Sequence, residues 1–143
     1  MGKGEDNMND RYFALLVHER PAPLDSLKSA LRELSIETYS VNSCEEAKRL
    51  LSQTEPQIVF TDTTLPDGTW ADVVDMAEGA TAPVNVIGVG ANKDVKFYIS
   101  ALERGAYDFV LPPFERQALD YVVHSAGDDA RLRRHALARA AVA

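Results

Sequence analysis

The sequence predicts an α/β fold in which a parallel five-stranded sheet is covered on both sides by helices. Two observations predict it. Five short strand-like runs alternate with five segments whose apolar residues recur at helical spacing. The first run, residues 12–17 (YFALLV), is continuously apolar, the pattern of a strand buried on both faces. Right-handed crossovers between parallel strands then leave few topologies.

The elements follow in chain order. After the first strand, Pro21 and Pro23 open a helix carrying Leu24, Leu27, Leu31 and Leu34. Residues 36–41 (IETYSV) alternate as a second strand. Ser43 and Glu46 have capping-box spacing, so a helix runs over residues 44–53, and Pro56 ends that region. Residues 57–61 are the third strand. Asp67-Gly68 marks a turn, and a helix bearing Val73, Val74 and Met76 follows. Gly79 and Pro83 punctuate the chain before the fourth strand, residues 84–89 (VNVIGV). Asn92 caps a fourth helix with Val95, Tyr98, Ile99 and Leu102 on one side, and Gly105 suits its C-terminal stop. Residues 107–111 form the fifth strand and residues 114–125 a fifth helix. Gly127-Asp128-Asp129 is expected to break the chain, with residues 130–143 (ARLRRHALARAAVA) forming a separate helix capped near Asp128 or Asp129.

The bulk numbers bound the function. The 143 residues fit one domain, and 45 % apolar content supplies a core. A net charge of -7 and a pI of about 4.9 oppose binding of a phosphodiester backbone, so direct nucleic-acid binding by this chain is not expected. The basic face of residues 131–139 reads as an ordinary solvated helix face. The single cysteine, Cys44, has no internal disulfide partner and no neighbouring bases in sequence, so it reads as inert. No segment approaches the roughly 18 apolar residues of a membrane span. The polar start MGKGEDNMND has no signal-peptide core, and Asp6 breaks the myristoylation pattern begun by Gly2. These features predict a soluble, cytoplasmic protein with a loose leader over residues 1–10.

Ligands of open α/β sheets bind beyond the carboxyl ends of the strands. Strand one ends in His18-Glu19, strand three in Asp62 with Thr63 and Thr64 next, strand four in Gly90-Ala91-Asn92, and strand five in Leu111-Pro112-Pro113. Glu19 and Asp62 are expected to converge on one crevice, where hard oxygen ligands suit Mg²⁺. The alternative for Asp62 is a turn aspartate that caps the following segment. His18 reads as a surface loop histidine, since no metal-ligand spacing surrounds it. The chain has no GxSxG, P-loop or GxGxxG motif, which leaves hydrolase, nucleotidase and dehydrogenase readings without a motif.

Two stretches, "IVFTDTTLPDGT" and "ALERGAYDFVLPPF", in this order and spacing, resemble the receiver domain of bacterial two-component response regulators. The resemblance covers about residues 11–125. It implies the flavodoxin-like doubly wound sheet with strand order 2-1-3-4-5. It implies that Asp62 stands at the phospho-acceptor position, with weak Mg²⁺ affinity through Glu19, Asp62 and the Thr64 carbonyl. Such a domain is not an enzyme in its own right.

The family pattern is broken at three positions. The acidic pair after strand one is His18-Glu19, the strand-four hydroxyl position is Gly90, and the strand-five lysine position is Pro112. Phe109 keeps an aromatic at the switch position of strand five. A lysine–phosphate contact is typically worth about 1.5–3 kcal/mol, so its loss weakens both the transfer and the switch. Lys93 reads as a solvated helix-start lysine.

An atypical receiver acting mainly as a protein-interaction module is therefore expected, with a phosphorylatable receiver as the alternative. The implied partners are a histidine kinase or another signalling protein, or a second copy. The contact would use the face of helix four, strand five and helix five, represented by Tyr98, Tyr107 and Tyr121, or the C-terminal helix with Leu132, Ala136 and Ala140 at four-residue spacing. The expected organisation is a leader (1–10), a receiver-like domain (11–126) and a linker helix (127–143) leading to an output domain, as in a transcriptional regulator.

Overall fold

A computed structural model describes residues 12–90 and 95–142. The leader, Asn92 and Lys93 lie outside the described residues.

Five parallel strands form the sheet: β1 (Phe13–Val17), β2 (Glu37–Val41), β3 (Ile58–Asp62), β4 (Asn85–Val89) and β5 (Asp108–Val110), in the order β2-β1-β3-β4-β5. This is the expected topology. Five helices connect and follow them: α1 (Leu24–Glu33), α2 (Cys44–Thr54), α3 (Trp70–Glu78), α4 (Val95–Arg104) and α5 (Arg116–Val142). The two-residue period of the strands divides the core in two. Ala14, Leu16, Ile58, Phe60, Ile87 and Val89 face α1 and α5. Leu15, Val17, Val59, Val86 and Phe109 face the layer of α2, α3 and α4. Each fully buried aliphatic or aromatic side chain contributes about 1.5–3 kcal/mol, so both layers are needed to hold the sheet. The edge strand β2 alternates between exposed and covered positions, as its sequence does.

Local signals explain the helix starts. Ser43 Oγ accepts from the Glu46 backbone N–H at 3.2 Å, and the Glu46 carboxylate accepts from Asn42 N–H at 3.1 Å. Thr69 Oγ1 accepts from Ala71 N–H, while the Asp72 carboxylate accepts from Thr69 N–H at 2.9 Å. Between β3 and α3 the chain forms a small antiparallel hairpin, Thr64–Leu65 against Gly68–Thr69, with Pro66 and Asp67 at its tip. Asp67 is more than a turn residue. Its carboxylate accepts from the Cys44 and Glu45 backbone N–H groups at 2.7 and 3.0 Å, closing the N-terminus of α2. These bonds, that to Cys44 foremost, hold the Asp67 carboxyl below its ordinary pKa.

The expected break at Gly127-Asp128-Asp129 is corrected by the structure: α5 runs unbroken for 27 residues from Arg116 to Val142. The three residues read as breakers each meet a partner from elsewhere in the fold. Gly127 lies against the Tyr12 ring, where a Cβ would come within 2.5 Å of ring carbons. Asp128 accepts the Tyr12 hydroxyl. Asp129 accepts from Asn85 Nδ2 and from Arg133 Nε, both at 3.0 Å. One turn on, Arg134 donates to the carbonyls of Pro83, Glu55 and Pro56 at 2.8, 3.2 and 2.8 Å, bridging the loops that enter β3 and β4. Residues 127–134 thus bond to the N-terminal ends of β3 and β4 and the loops that enter them. The helix starts at Arg116, two residues later than expected, because the Glu115 carboxylate caps the Gln117 and Ala118 N–H groups.

Candidate functional site

The carboxyl ends of β1, β3, β4 and β5 converge as expected, and Asp62 stands among them as the last residue of β3. In register it sits opposite Val89 of β4, and its side chain is 1 % exposed. A carboxylate so placed needs a compensating partner. That partner is Arg20, two residues past His18. Its Nε donates to one Asp62 oxygen at 3.1 Å and its Nη2 to the other at 2.8 Å, while Thr63 N–H donates to the latter at 2.7 Å. The hydrogen bonds, and then the charge, of Asp62 raise the Arg20 pKa above its ordinary value.

The other expected site residues are arranged differently. His18 braces the turn: its backbone N–H donates to the Val41 carbonyl at 3.0 Å, and its Nδ1 lies 2.8 Å from the Arg20 carbonyl, which the Nδ1–H tautomer satisfies. Glu19 and Thr64 are exposed, Thr64 on the hairpin strand. Mg²⁺ demands several oxygens free to coordinate it. Both Asp62 oxygens are already bonded to a guanidinium, and no three His, Cys, Asp or Glu side chains gather into a metal-holding group among the described residues. The residues present do not fit the ion.

Gly90 follows β4, its N–H donating to the Val110 carbonyl at 3.1 Å. A Cβ there would lie 2.6 Å from Phe109 Cζ and 2.9 Å from Leu111 Cδ2, and one at Gly88 would lie 2.6 Å from Phe109 Cδ2. The Phe109 ring therefore fills the volume left by two glycines on the same face of β4. It is 6 % exposed and packs at 5.0 Å against Phe97, which packs at 5.3 Å against Trp70. Pro112 is exposed beyond β5.

On the α4–β5–α5 face, Tyr121 is 74 % exposed, and Tyr98 lies beside exposed Ile99 and Leu102. Tyr98 donates a long hydrogen bond, 3.4 Å, to Asp108, whose charge is the main cause of its raised pKa. Tyr107 is half-buried, with its hydroxyl 2.7 Å from Ser125 Oγ, and Leu119 is buried in the core. Cys44 is buried, and its thiol is pushed up to about 11, first by burial and then by the Asp67 charge. That suits a packing role.

The sequence reading missed Arg20. The available signal was a cation close after strand one, facing an acid expected at the end of a buried strand.

The profile of the response regulator receiver domain matches residues 14–124. The chain is 30 % identical over 116 residues to the response regulator protein PilR of Pseudomonas aeruginosa, covering 81 % of this chain and 26 % of PilR. It is 31 % identical over 103 residues to the transcriptional regulatory protein KdpE of Mycobacterium tuberculosis, covering 71 % of this chain and 45 % of KdpE. The chain therefore spans about a quarter of one relative and under half of the other. Among solved structures, the receiver domain of a LuxO repressor protein from Vibrio parahaemolyticus superposes with a TM-score of 0.73 at 24 % identity, over 86 % of this chain and 95 % of that one. The receiver domain of the sensor histidine kinase PA1611 from Pseudomonas aeruginosa, which holds a magnesium ion in its active-site cleft, gives 0.71 at 20 % identity, over 82 % and 98 %. The fold, the placement of Asp62 and these matches together establish that the chain belongs to the response regulator receiver domain family of two-component signalling.

Proposed function

We propose that this receiver is an atypical one that acts by protein contact and not by a phosphoryl-driven switch. We further propose that it forms the N-terminal part of a transcriptional regulator working in the cytoplasm. The observation that carries the reading is the Phe109 ring in the space over Gly88 and Gly90. A receiver reports phosphorylation through contacts that exist only when phosphate is bound, since a ligand shifts an equilibrium only by its differential contacts. Here the strand-four position has no hydroxyl, its volume is already full of ring, and the strand-five position is a proline with no cation. The aromatic is packed inward against Phe97.

The partners that fit are a histidine kinase, another signalling protein or a second copy of the chain, meeting the α4–β5–α5 face at Tyr98, Ile99 and Tyr121. Neither an enzymatic role nor direct nucleic-acid binding belongs to this reading. No described helix is long and apolar enough to cross a membrane.

Intact-protein mass after incubation with acetyl phosphate and Mg²⁺, with Asp62→Asn as control, tests it. The reading expects no added phosphoryl mass on folded protein. An added mass that the Asp62→Asn variant lacks favours the alternative, a receiver phosphorylated on Asp62 with weakly held Mg²⁺.

A further inference from the structure

We propose that Arg20 is a resident counter-ion that takes the place of a divalent cation at Asp62, neutralising the carboxylate and keeping metal out. The inference rests on family membership and on the geometry of the pair. Mg²⁺-dependent phosphorylation of Asp62 would count against it, whereas loss of the protein-contact role would not.

Asp62 is 1 % exposed at the end of a fully buried strand, and an ionised carboxylate there is costly unless paired and hydrogen-bonded. The guanidinium meets the need in its preferred geometry. A planar fork matches the two carboxylate oxygens, one donor to each, at 3.1 and 2.8 Å. The fork is aimed by its own backbone: the Arg20 carbonyl is held by His18, and the His18 N–H is fixed to the end of β2. The backbone at Arg20 is thus held beside the end of β2, and from there the side chain reaches the carboxylate.

An ion at Asp62 must displace a guanidinium from both oxygens and then sit beside that positive charge. Mg²⁺ also dehydrates reluctantly and demands near-octahedral oxygen donors. The remaining acid, Glu19, is exposed, and His18 Nδ1 is committed to the Arg20 carbonyl. The Arg20 side chain is itself 59 % exposed. It can therefore be removed or swung out without opening the hydrophobic core, which makes it a separable part of the site.

The test is a double-mutant cycle with and without Mg²⁺ at constant ionic strength, read as urea unfolding and thermal midpoint. In the native background Arg20→Ala is expected to lower the folding equilibrium constant by about tenfold, tempered by the exposure of the arginine. In the Asp62→Asn background it is expected to change little. The native protein should show no Mg²⁺-dependent rise in midpoint, and Arg20→Ala should gain one through Glu19 and Asp62. Arg20→Gln keeps a donor without the charge and serves if Arg20→Ala does not fold. Equal cost of the Arg20 substitution in both backgrounds overturns the counter-ion role. A saturable Mg²⁺ response of the native protein that Asp62→Asn abolishes, or no response after Arg20 is removed, overturns its role in keeping metal out.

Discussion

Restoring the family's hydroxyl at strand four should damage this protein. Gly90→Ser places a Cβ 2.6 Å from Phe109 Cζ and 2.9 Å from both Phe109 Cε1 and Leu111 Cδ2. Carbon atoms rest at about 3.5–4.0 Å, so the overlap is about 1 Å on three atoms. The ring has no room to slide. On one side it already stands over Gly88, and on the others Phe97 and Tyr98 lie at 5.0 and 5.9 Å between ring centroids. Either the ring leaves its pocket or the strand shifts. Overpacking of this kind costs about 1–3 kcal/mol, more than the roughly 0.4–1 kcal/mol gained by removing a glycine's freedom from the unfolded chain. Phe109→Leu supplies the control, because leucine ends at Cδ and has neither clashing ring atom. In that background only the Leu111 methyl contact remains, at the free end of a flexible side chain, so Gly90→Ser should cost much less, giving a coupling energy of at least about 1 kcal/mol. Urea unfolding followed by fluorescence of Trp70, the single tryptophan, which packs on Phe97, reads the cycle. Additive costs, equal in both backgrounds within about 0.5 kcal/mol, would refute the claim that Phe109 occupies the hydroxyl's place.

Two further outcomes follow from the packing and capping. Gly127→Ala should destabilise by about 1–3 kcal/mol in denaturant, although alanine favours a helix by about 1 kcal/mol, because the new Cβ meets the Tyr12 ring at 2.5 Å. Asp67 caps α2 with a depressed pKa, so its contribution is present above the unfolded value of about 4 and is lost as pH falls through the lower folded value. Asp67→Asn should remove that part of the acid-induced loss of stability, visible as a shallower fall in thermal midpoint below that pH.

The strands and the position of Asp62 were legible because they are written in local periodicity, while the strand order was legible only through the resemblance to the receiver family. A continuous apolar run marks a strand buried on both faces, and a carboxylate at its end marks the edge where ligands bind. The Ser43 cap and the Gly105 stop were equally local, and Gly105 does adopt a positive φ of 118°. What escaped was tertiary. Gly127, Asp128 and Asp129 are helix breakers by composition, yet Tyr12 and Asn85 lie far away in sequence and supply their partners. Asp67 was legible as a turn residue but not as the cap of a helix 22 positions earlier. Gly90 was legible as a missing hydroxyl. That its space was already filled by Phe109 depends on strand register, which pairs Gly88 with Phe109.

Backbone amide NMR during titration with beryllofluoride and Mg²⁺ asks whether Arg20 closes the site of this receiver fold and whether its switch is packed in one state. A site closed in this way leaves the spectra unchanged at Asp62, Gly90 and the amides of α4 and β5. Saturable shifts at Asp62 that spread to Phe109 and α4, and that vanish in Asp62→Asn, would contradict it.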